Sequence, residues 1–242
     1  MTRKKKTNEK TMEEGEPATL ADLSNLEEGF EMQTARRSDF YRLLATAFAF
    51  PSEELTRAVA AGEVRGALDE AAAGLPYTLD YGRSVPGLSE AGPEDDALEV
   101  DYIRLFDVGP GSGPPCPLYT GNWTGDRLRA MEECLRFYEH FGLGLPDPRP
   151  DLPDHLCIAL EFLHYLSFRQ VEAQKDGETG DDYIRAQCDF LDRQVLSWFP
   201  RMASKLTGHS PQPFYDALVA CALAFFEAEK AYLKELAQRA SS

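Results

Sequence analysis

Along most of this chain the apolar residues recur every three or four positions, the signature of helices that bury one face. Phe40, Tyr41, Leu43, Leu44, Ala47 and Phe48 follow that spacing from about Arg36, and Pro51 stops the run. A second helix is predicted over 53–73, ending at Gly74, and a third over 94–106 with Leu98, Tyr102 and Leu105 on one face. Leu128, Met131, Leu135 and Tyr138 place a helix over 126–141, closed by Gly142 and Gly144. Leu156, Leu160, Leu163 and Phe168 define another that starts at Asp154 and fades at the polar stretch 174–180. Cys188, Leu191, Val195 and Trp198 mark 183–199, with a break at Pro200, and a last helix covers 213–237. No segment alternates apolar and polar residues as a half-buried strand does, and no fixed repeat is visible. The expected class is all-α, a single globular helical domain over residues 35–240.

Two stretches fall outside the helical pattern. Residues 1–34 are rich in Lys, Glu, Thr and Gly with few large apolar side chains, so they are expected to form a disordered tail that cannot repay the entropy of ordering. Residues 108–122 contain four Gly and four Pro and cannot continue a helix, which makes them the longest predicted loop of the body.

Composition narrows the possible functions. At 242 residues with 43% hydrophobic content, the chain can bury a core without disulfide or metal staples. Its net charge of −16, from 41 acidic and 25 basic residues, opposes a phosphate backbone and excludes nucleic acid as the natural partner. A basic peptide would be attracted, although acidic surfaces also serve plain solubility. Five widely spaced cysteines with no Cys-x-x-Cys pair fit a reducing compartment. Arg3-Lys4-Lys5-Lys6 is followed by polar and acidic residues where a secretory signal needs an apolar run, and the longest apolar stretch, 217–226, is far short of the ~20 residues that span a bilayer. A cytoplasmic protein without membrane insertion is expected.

The usual catalytic signatures are incomplete. Glu161-Phe162-Leu163-His164 is one half of a di-iron carboxylate pattern, but His140, His155 and His209 lack a Glu three residues earlier, so no metal or cofactor is expected. Gly109-Pro110-Gly111-Ser112-Gly113 lacks the Lys-Ser/Thr of a phosphate loop, and its flanking prolines donate no backbone N–H. The chain reads as a binding protein and not an enzyme.

Two features carry more information. Asp101-Tyr102-Ile103-Arg104-Leu105-Phe106 leads into Gly109-Pro110-Gly111 and then 114–119, Pro-Pro-Cys-Pro-Leu-Tyr, through Trp123. These residues form either a rigid loop whose aromatics plug the core or a preformed wall presenting Tyr119 and Trp123 to a peptide. Pro153-Asp154-His155-Leu156 opens a helix, where Asp154 serves as an N-cap or accepts from a ligand's Arg or Lys, beside a His155 that would titrate near neutral pH.

In that order and separation the two features resemble the TorD/DmsD/NarJ family of redox-enzyme maturation chaperones. The family pattern runs roughly Glu-Tyr-x-x-Leu-Phe, Gly-Pro-Gly, Pro-Pro-Cys-Pro-Pro-Tyr-Glu-Ser-x-Tyr, then Pro-Asp-His-Leu with a Glu-Phe-Leu-like helix. The segments quoted above, with Glu161-Phe162-Leu163, stand at those places, and Arg37 to Pro51, Trp198-Phe199-Pro200 and Phe214-Tyr215 also look like family positions. Asp101, Thr120-Gly121 and Trp123 depart from the pattern. The resemblance implies a TorD-like helical domain that binds the apo catalytic subunit of a molybdenum enzyme, or its twin-arginine signal peptide, and delays export until the cofactor is inserted. It further implies a client site of Asp154, His155, Tyr102, Phe106, Pro115, Tyr119 and Trp123, and a monomer or domain-swapped dimer. The competing reading is a helical accessory subunit held permanently in a redox complex. Guanine-nucleotide binding, thought to occur in some relatives, has no phosphate-binding motif here.

Overall fold

A computed structural model describes residues 20–80, 82–92, 94–109, 111, 113–144 and 151–239. Helix α1 spans Leu20–Ala47, α2 Glu53–Ala60, α3 Glu63–Ala73, α4 Ala97–Tyr102 and α5 Thr120–Thr124. They are followed by α6 Arg127–His140, α7 Leu156–Lys175, α8 Asp181–Phe190, α9 Phe199–Leu206 and α10 Pro213–Arg239. A 3₁₀ segment, Gly82–Ser89, lies against α10, and among the described residues there is no β-strand. The all-α class expected from periodicity is the class observed.

Several boundaries differ from the pattern, each for a local reason. The region 53–73 is two helices, because Gly62 adopts a left-handed φ of 73° that interrupts the α-ladder. Pro200 does not end the helix before it. It sits in the first turn of α9, where a proline's missing N–H costs nothing. The helix expected from 183 begins at Asp181 and gives way to a π-helical turn at Leu191–Leu196, and α4 similarly runs into a π-helical turn at Ile103–Asp107. The long loop ends at Tyr119, since residues 120–124 are helical. The expected disordered tail is also corrected in part: residues 20–34 belong to α1, where Phe30 packs on the core and the buried Thr34 hydroxyl donates to the Phe30 carbonyl. Residues 1–19 lie outside the described residues.

Helix α1 lies along α7 and touches α10, whose Phe214, Tyr215, Leu218, Phe225 and Phe226 are fully buried. Phe40 stacks on Phe225 with ring centroids 4.3 Å apart. Into this apolar centre the chain places a charge pair. Arg37 and Glu229 have 0% side-chain exposure, and Arg37 Nε donates to Glu229 Oε1 at 2.8 Å. Two ionised groups so deep are tolerated only when their remaining hydrogen-bonding capacity is met. Here Tyr41 and Tyr77 donate to the two Glu229 oxygens at 3.2 and 2.5 Å, and Arg37 Nη2 donates to Gln187 Oε1 at 2.7 Å. Gln187 in turn accepts from Ser167 Oγ at 3.0 Å and donates to Gln170 at 2.9 Å. Burial pulls the Arg37 guanidinium toward neutrality, but the Glu229 carboxylate outweighs it and holds the group charged.

Removing one partner strands the other charge, so Glu229→Ala is expected to cost about 3–5 kcal/mol in urea unfolding. The apolar double substitution Arg37→Met with Glu229→Leu should recover much of that loss. A double variant no more stable than the single one would show that the surrounding tyrosines and glutamines, and not the charge pair, set the cost.

Candidate functional site

The sequence separates the Pro-rich loop from the Pro-Asp-His-Leu segment by more than thirty residues, and backbone pairing rejoins them. Leu156 N–H donates to the Leu118 carbonyl at 2.8 Å and Thr120 N–H to the Asp154 carbonyl at 3.1 Å, forming an isolated antiparallel bridge between Tyr119 and His155. The loop is pinned on its other side by Cys116 N–H donating to the Leu105 carbonyl at 2.9 Å. That carbonyl lies in the π-helical turn after α4, where one extra residue per turn leaves backbone groups outside the α-ladder. The turn also carries Phe106 and Asp107 to the same side as Tyr102.

The result is a cavity of about 530 Å³. Its aromatic side is Phe50, Tyr102, Phe106 and Tyr119, with Tyr102 edge-on to Phe50 at 5.5 Å and to Phe106 at 5.4 Å. His155 and Ile158 form the floor on α7, with the Tyr119 ring edge-on to His155 at 4.7 Å. Asp107, Asp151 and Glu161 supply carboxylates, and Arg42 on α1 supplies a cation, itself 3.6 Å from Asp39. Tyr119 donates its hydroxyl to Asp151 at 3.2 Å, which fixes that carboxylate at the cavity. Burial, reinforced by Asp151, pushes the Tyr119 phenol up to about 12, so it remains a donor at neutral pH.

Four of the seven residues expected at the site, Tyr102, Phe106, Tyr119 and His155, line this cavity; Asp154, Pro115 and Trp123 do not. Asp154 is 2% exposed, and its Oδ2 accepts from Gly121 N–H at 2.9 Å. It clamps the start of α5 and offers no carboxylate to the cavity. Nor is it the N-cap of α7: that role belongs to His155, whose Nδ1 accepts from Cys157 N–H at 3.2 Å. Trp123 points away, stacked on Trp198 at 6.2 Å, with its indole N–H donated to the Pro117 carbonyl at 2.8 Å and Lys205 over its ring. Pro115 is half-buried in the loop. Sequence reasoning missed Asp107, Asp151, Glu161 and Arg42 as cavity residues. Glu161 stood within a quoted motif, but nothing in the local pattern of the others distinguishes them from surface charges.

The departures from the family pattern have structural partners. Thr120 donates its hydroxyl at 2.9 Å to the Gln194 carbonyl, which belongs to the second π-helical turn. A Cβ on Gly121 would lie 2.6 Å from Arg127 Cα, so only glycine allows α5 and α6 to approach this closely. Asp101 accepts from Gln212 N–H at 2.7 Å and pairs with Arg104, tying α4 to the segment before α10.

His155 also differs from the expectation of a group titrating near neutrality. Burial lowers its affinity for a proton, and the opposing pull of Asp151 and Asp154 does not compensate. Its Nδ1 lone pair is engaged as a cap, and the positive end of a helix disfavours imidazolium there. His164 is turned to Ser38, with Nδ1 2.8 Å from the hydroxyl. Burial likewise raises the thiols of Cys116 to about 11 and of Cys134 and Cys221 to about 12. Among the described residues no group of three or more His, Cys, Asp or Glu could hold a metal ion, and no helix is long and apolar enough to cross a membrane.

The described residues form an all-helical fold with one aromatic and acidic cavity where the Pro-rich loop meets the start of α7. Residues 60–204 match the family model described as nitrate reductase delta subunit. The dimethyl sulfide dehydrogenase assembly chaperone protein of Rhodovulum sulfidophilum is 36% identical over 189 residues, 74% of this chain and 72% of that one. The selenate reductase assembly chaperone protein of Thauera selenatis is 35% identical over 122 residues, 50% of this chain and 63% of that one. The perchlorate reductase assembly chaperone protein of Dechloromonas aromatica is 29% identical over 204 residues, covering 79% and 87%. The chain belongs to the nitrate reductase delta subunit family, the TorD/NarJ group of molybdoenzyme maturation chaperones. The relatives named are assembly chaperones, and the chain spans 63% of the length of the selenate reductase and chlorate reductase chaperones that it matches.

Two outcomes follow for the site. A histidine kept neutral by folding binds fewer protons than its unfolded counterpart, so its contribution to stability is complete above about pH 6.5 and is lost as pH falls from there through its lowered folded value. His155→Asn keeps a capping side chain and should flatten that part of the stability profile measured by urea unfolding between pH 5 and 8; an unchanged slope would assign it to other groups. Asp154→Ala removes the acceptor of a buried N–H and is expected to cost about 1–3 kcal/mol. Hydrogen exchange should then accelerate at Gly121, and a protected Gly121 amide would show that the clamp is not needed.

Proposed function

We propose that this protein is an assembly chaperone that binds the apo catalytic subunit of a molybdenum-dependent oxidoreductase in the cytoplasm, seating a basic and apolar segment of that client in the aromatic and acidic cavity. The observation that carries this reading is the cavity itself, built where the two family motifs join. An arginine of the client would meet Asp107, Asp151 or Glu161, while apolar side chains pack on Phe50, Tyr102 and Tyr119. A twin-arginine signal peptide, with a basic head and an apolar run, has the matching chemistry. Holding it would delay export until the molybdopterin cofactor is in place. Asp154 and Trp123 act in this scheme as positioning residues that hold the loop, and Pro115 stiffens it.

The chemistry required of the chaperone is binding without turnover. Release follows a change in the client that removes its preference for the cavity, because a bound state shifts only by differential affinity. The exposed Phe50, Val108 and Leu152 lie in or beside the segments that form the cavity mouth and extend the apolar surface available to a folded client domain.

Affinity capture from the native host with this protein as bait, followed by mass spectrometry and molybdenum analysis, tests the reading. A cofactor-free catalytic subunit is expected. A stoichiometric complex with a cofactor-loaded enzyme would favour a permanent accessory subunit, and recovery of no molybdoenzyme would overturn the chaperone reading. In calorimetric titration with the captured client's N-terminal peptide, Tyr119→Ala and the pair Asp151→Asn with Glu161→Gln should each weaken binding roughly 10- to 100-fold, the scale of a central contact. Equal affinity in both variants would place the client elsewhere.

A further inference from the structure

Arg42 brings a positive charge into a lining that also holds the carboxylates of Asp107, Asp151 and Glu161. Whether it competes with a cation of the client depends on where its guanidinium rests. Helices α1 and α7 run antiparallel: Ser38 Oγ lies 2.8 Å from His164 Nδ1, Phe30 and Glu31 share a cleft with Gln174 and Lys175, and Arg42 and Thr46 share the cavity with Glu161 and Ile158. One turn beyond Ser38, Arg42 therefore stands across the seam from Glu161. Packed helices lie about 8–10 Å apart, a gap that two such long side chains can close between them.

The guanidinium is held elsewhere. Arg42 Nη2 is 3.6 Å from Asp39 Oδ1, and Asp39 lies outside the cavity lining. At 3.6 residues per turn, Arg42 is about 40° round α1 from the seam contact at Ser38 and Asp39 about 100°. Pairing with Asp39 thus draws the guanidinium outward, away from Glu161. Among the described residues Glu161 is in no ion pair. Burial raises its carboxyl, opposed by His164 and reinforced by Asp151, so an arriving cation relieves an unfavourable charge there.

We infer that Asp39 is a positioning residue for the client site: by holding Arg42 on the outer side of α1, it keeps Glu161 open to a cation of the client. This rests on the reading of the cavity as the client site. Arg42 and Asp39 have 54% and 42% side-chain exposure, so their pairing is weak and screened by salt. Arg42 accordingly moves between two carboxylates of similar attraction, and loss of Asp39 sends it to Glu161. A client cation and Arg42 exclude each other at Glu161, and Asp39 takes up the displaced arginine. The affinity for a basic segment is therefore tuned by a residue outside the cavity.

The first measurement needs no client. In the full-length protein carrying ¹³C-labelled glutamate, NMR follows the titration of the Glu161 carboxyl in the wild type, Asp39→Asn, Arg42→Gln and the double variant, with Glu161→Gln identifying the signal. Asp39→Asn should lower the Glu161 midpoint by roughly 0.2–0.5 pH units, the scale of an exposed ion pair, and should have no such effect once Arg42 is glutamine. An unmoved midpoint in Asp39→Asn would overturn the inference, and so would an equal shift in the absence of Arg42, which would assign the effect to the Asp39 charge itself. The second measurement is calorimetric titration with a synthetic peptide of two arginines followed by ten alternating Leu and Ala. Asp39→Asn should weaken binding about two- to threefold, Arg42→Gln should tighten it by a similar factor, and Asp39→Asn should add nothing to Arg42→Gln. Equal affinity in all four proteins would overturn the inference and leave the client site standing. Binding by none of them would remove the client-site reading, and the Glu161 titration would still decide where Arg42 goes.

Discussion

Four helices far apart in the chain meet at one buried charge pair. Arg37 on α1 and Glu229 on α10 bind each other where α7 contributes Ser167 and Gln170 and α8 contributes Gln187. In an apolar core of leucine and phenylalanine, helices can slide by a turn with modest loss of packing. A charge pair cannot, because one misplaced register would leave an ion without partners at a cost of several kcal/mol. The pair thus fixes how α1 lies against α7 and α10, and with it the position of Arg42, Ala45 and Thr46, which are the α1 contribution to the cavity. Tyr41 and Tyr77, held as neutral donors by burial and by the Glu229 charge, complete the carboxylate's shell.

The cavity depends on that frame and on two irregular helical turns. The π-helical turn after α4 turns Phe106 and Asp107 toward Tyr102 and frees a carbonyl for the Pro-rich loop, while the one after α8 presents the Gln194 carbonyl to Thr120 and to the Trp198 indole at 2.7 Å. Each turn holds one end of the same loop. The bridge between Tyr119 and His155 closes the arrangement, so that the segment from Cys116 to Thr120 is held at both ends. A segment already ordered spares the entropy that a flexible one would lose on binding.

His155 shows how one side chain serves both layers. Its Nδ1 caps α7 while its ring packs against Tyr119 at the cavity floor, so neutrality is required by the helix as well as favoured by burial. The cavity's negative charge then comes from carboxylates with more exposure, of which Asp151 is oriented by Tyr119. The buried Asp154 next in sequence to His155 serves the scaffold, and the acidic character of the site comes from neighbours three residues before it, on the first π-helical turn and one turn further along α7.

The helical class, most helix positions and the Pro-rich loop were legible in the sequence because each rests on local chemistry: a three-to-four residue apolar spacing, prolines that cannot donate, glycines that end a ladder. The Pro-rich loop and the Pro-Asp-His-Leu segment could be named together for the same reason. Other features were decided only by tertiary contacts. In the N-terminal part of α1 Phe30 packs against the core and Thr34 is buried, and π-helical turns have no local signature. Which of two adjacent residues faces a cavity follows from the backbone bridge that pairs Tyr119 with His155, and this bridge turned Asp154 inward and left Asp151 at the mouth. Residue type and order determined what the site could contain, and long-range pairing decided which side chains reach it, because direction at a loop-helix junction is set by partners remote in the chain.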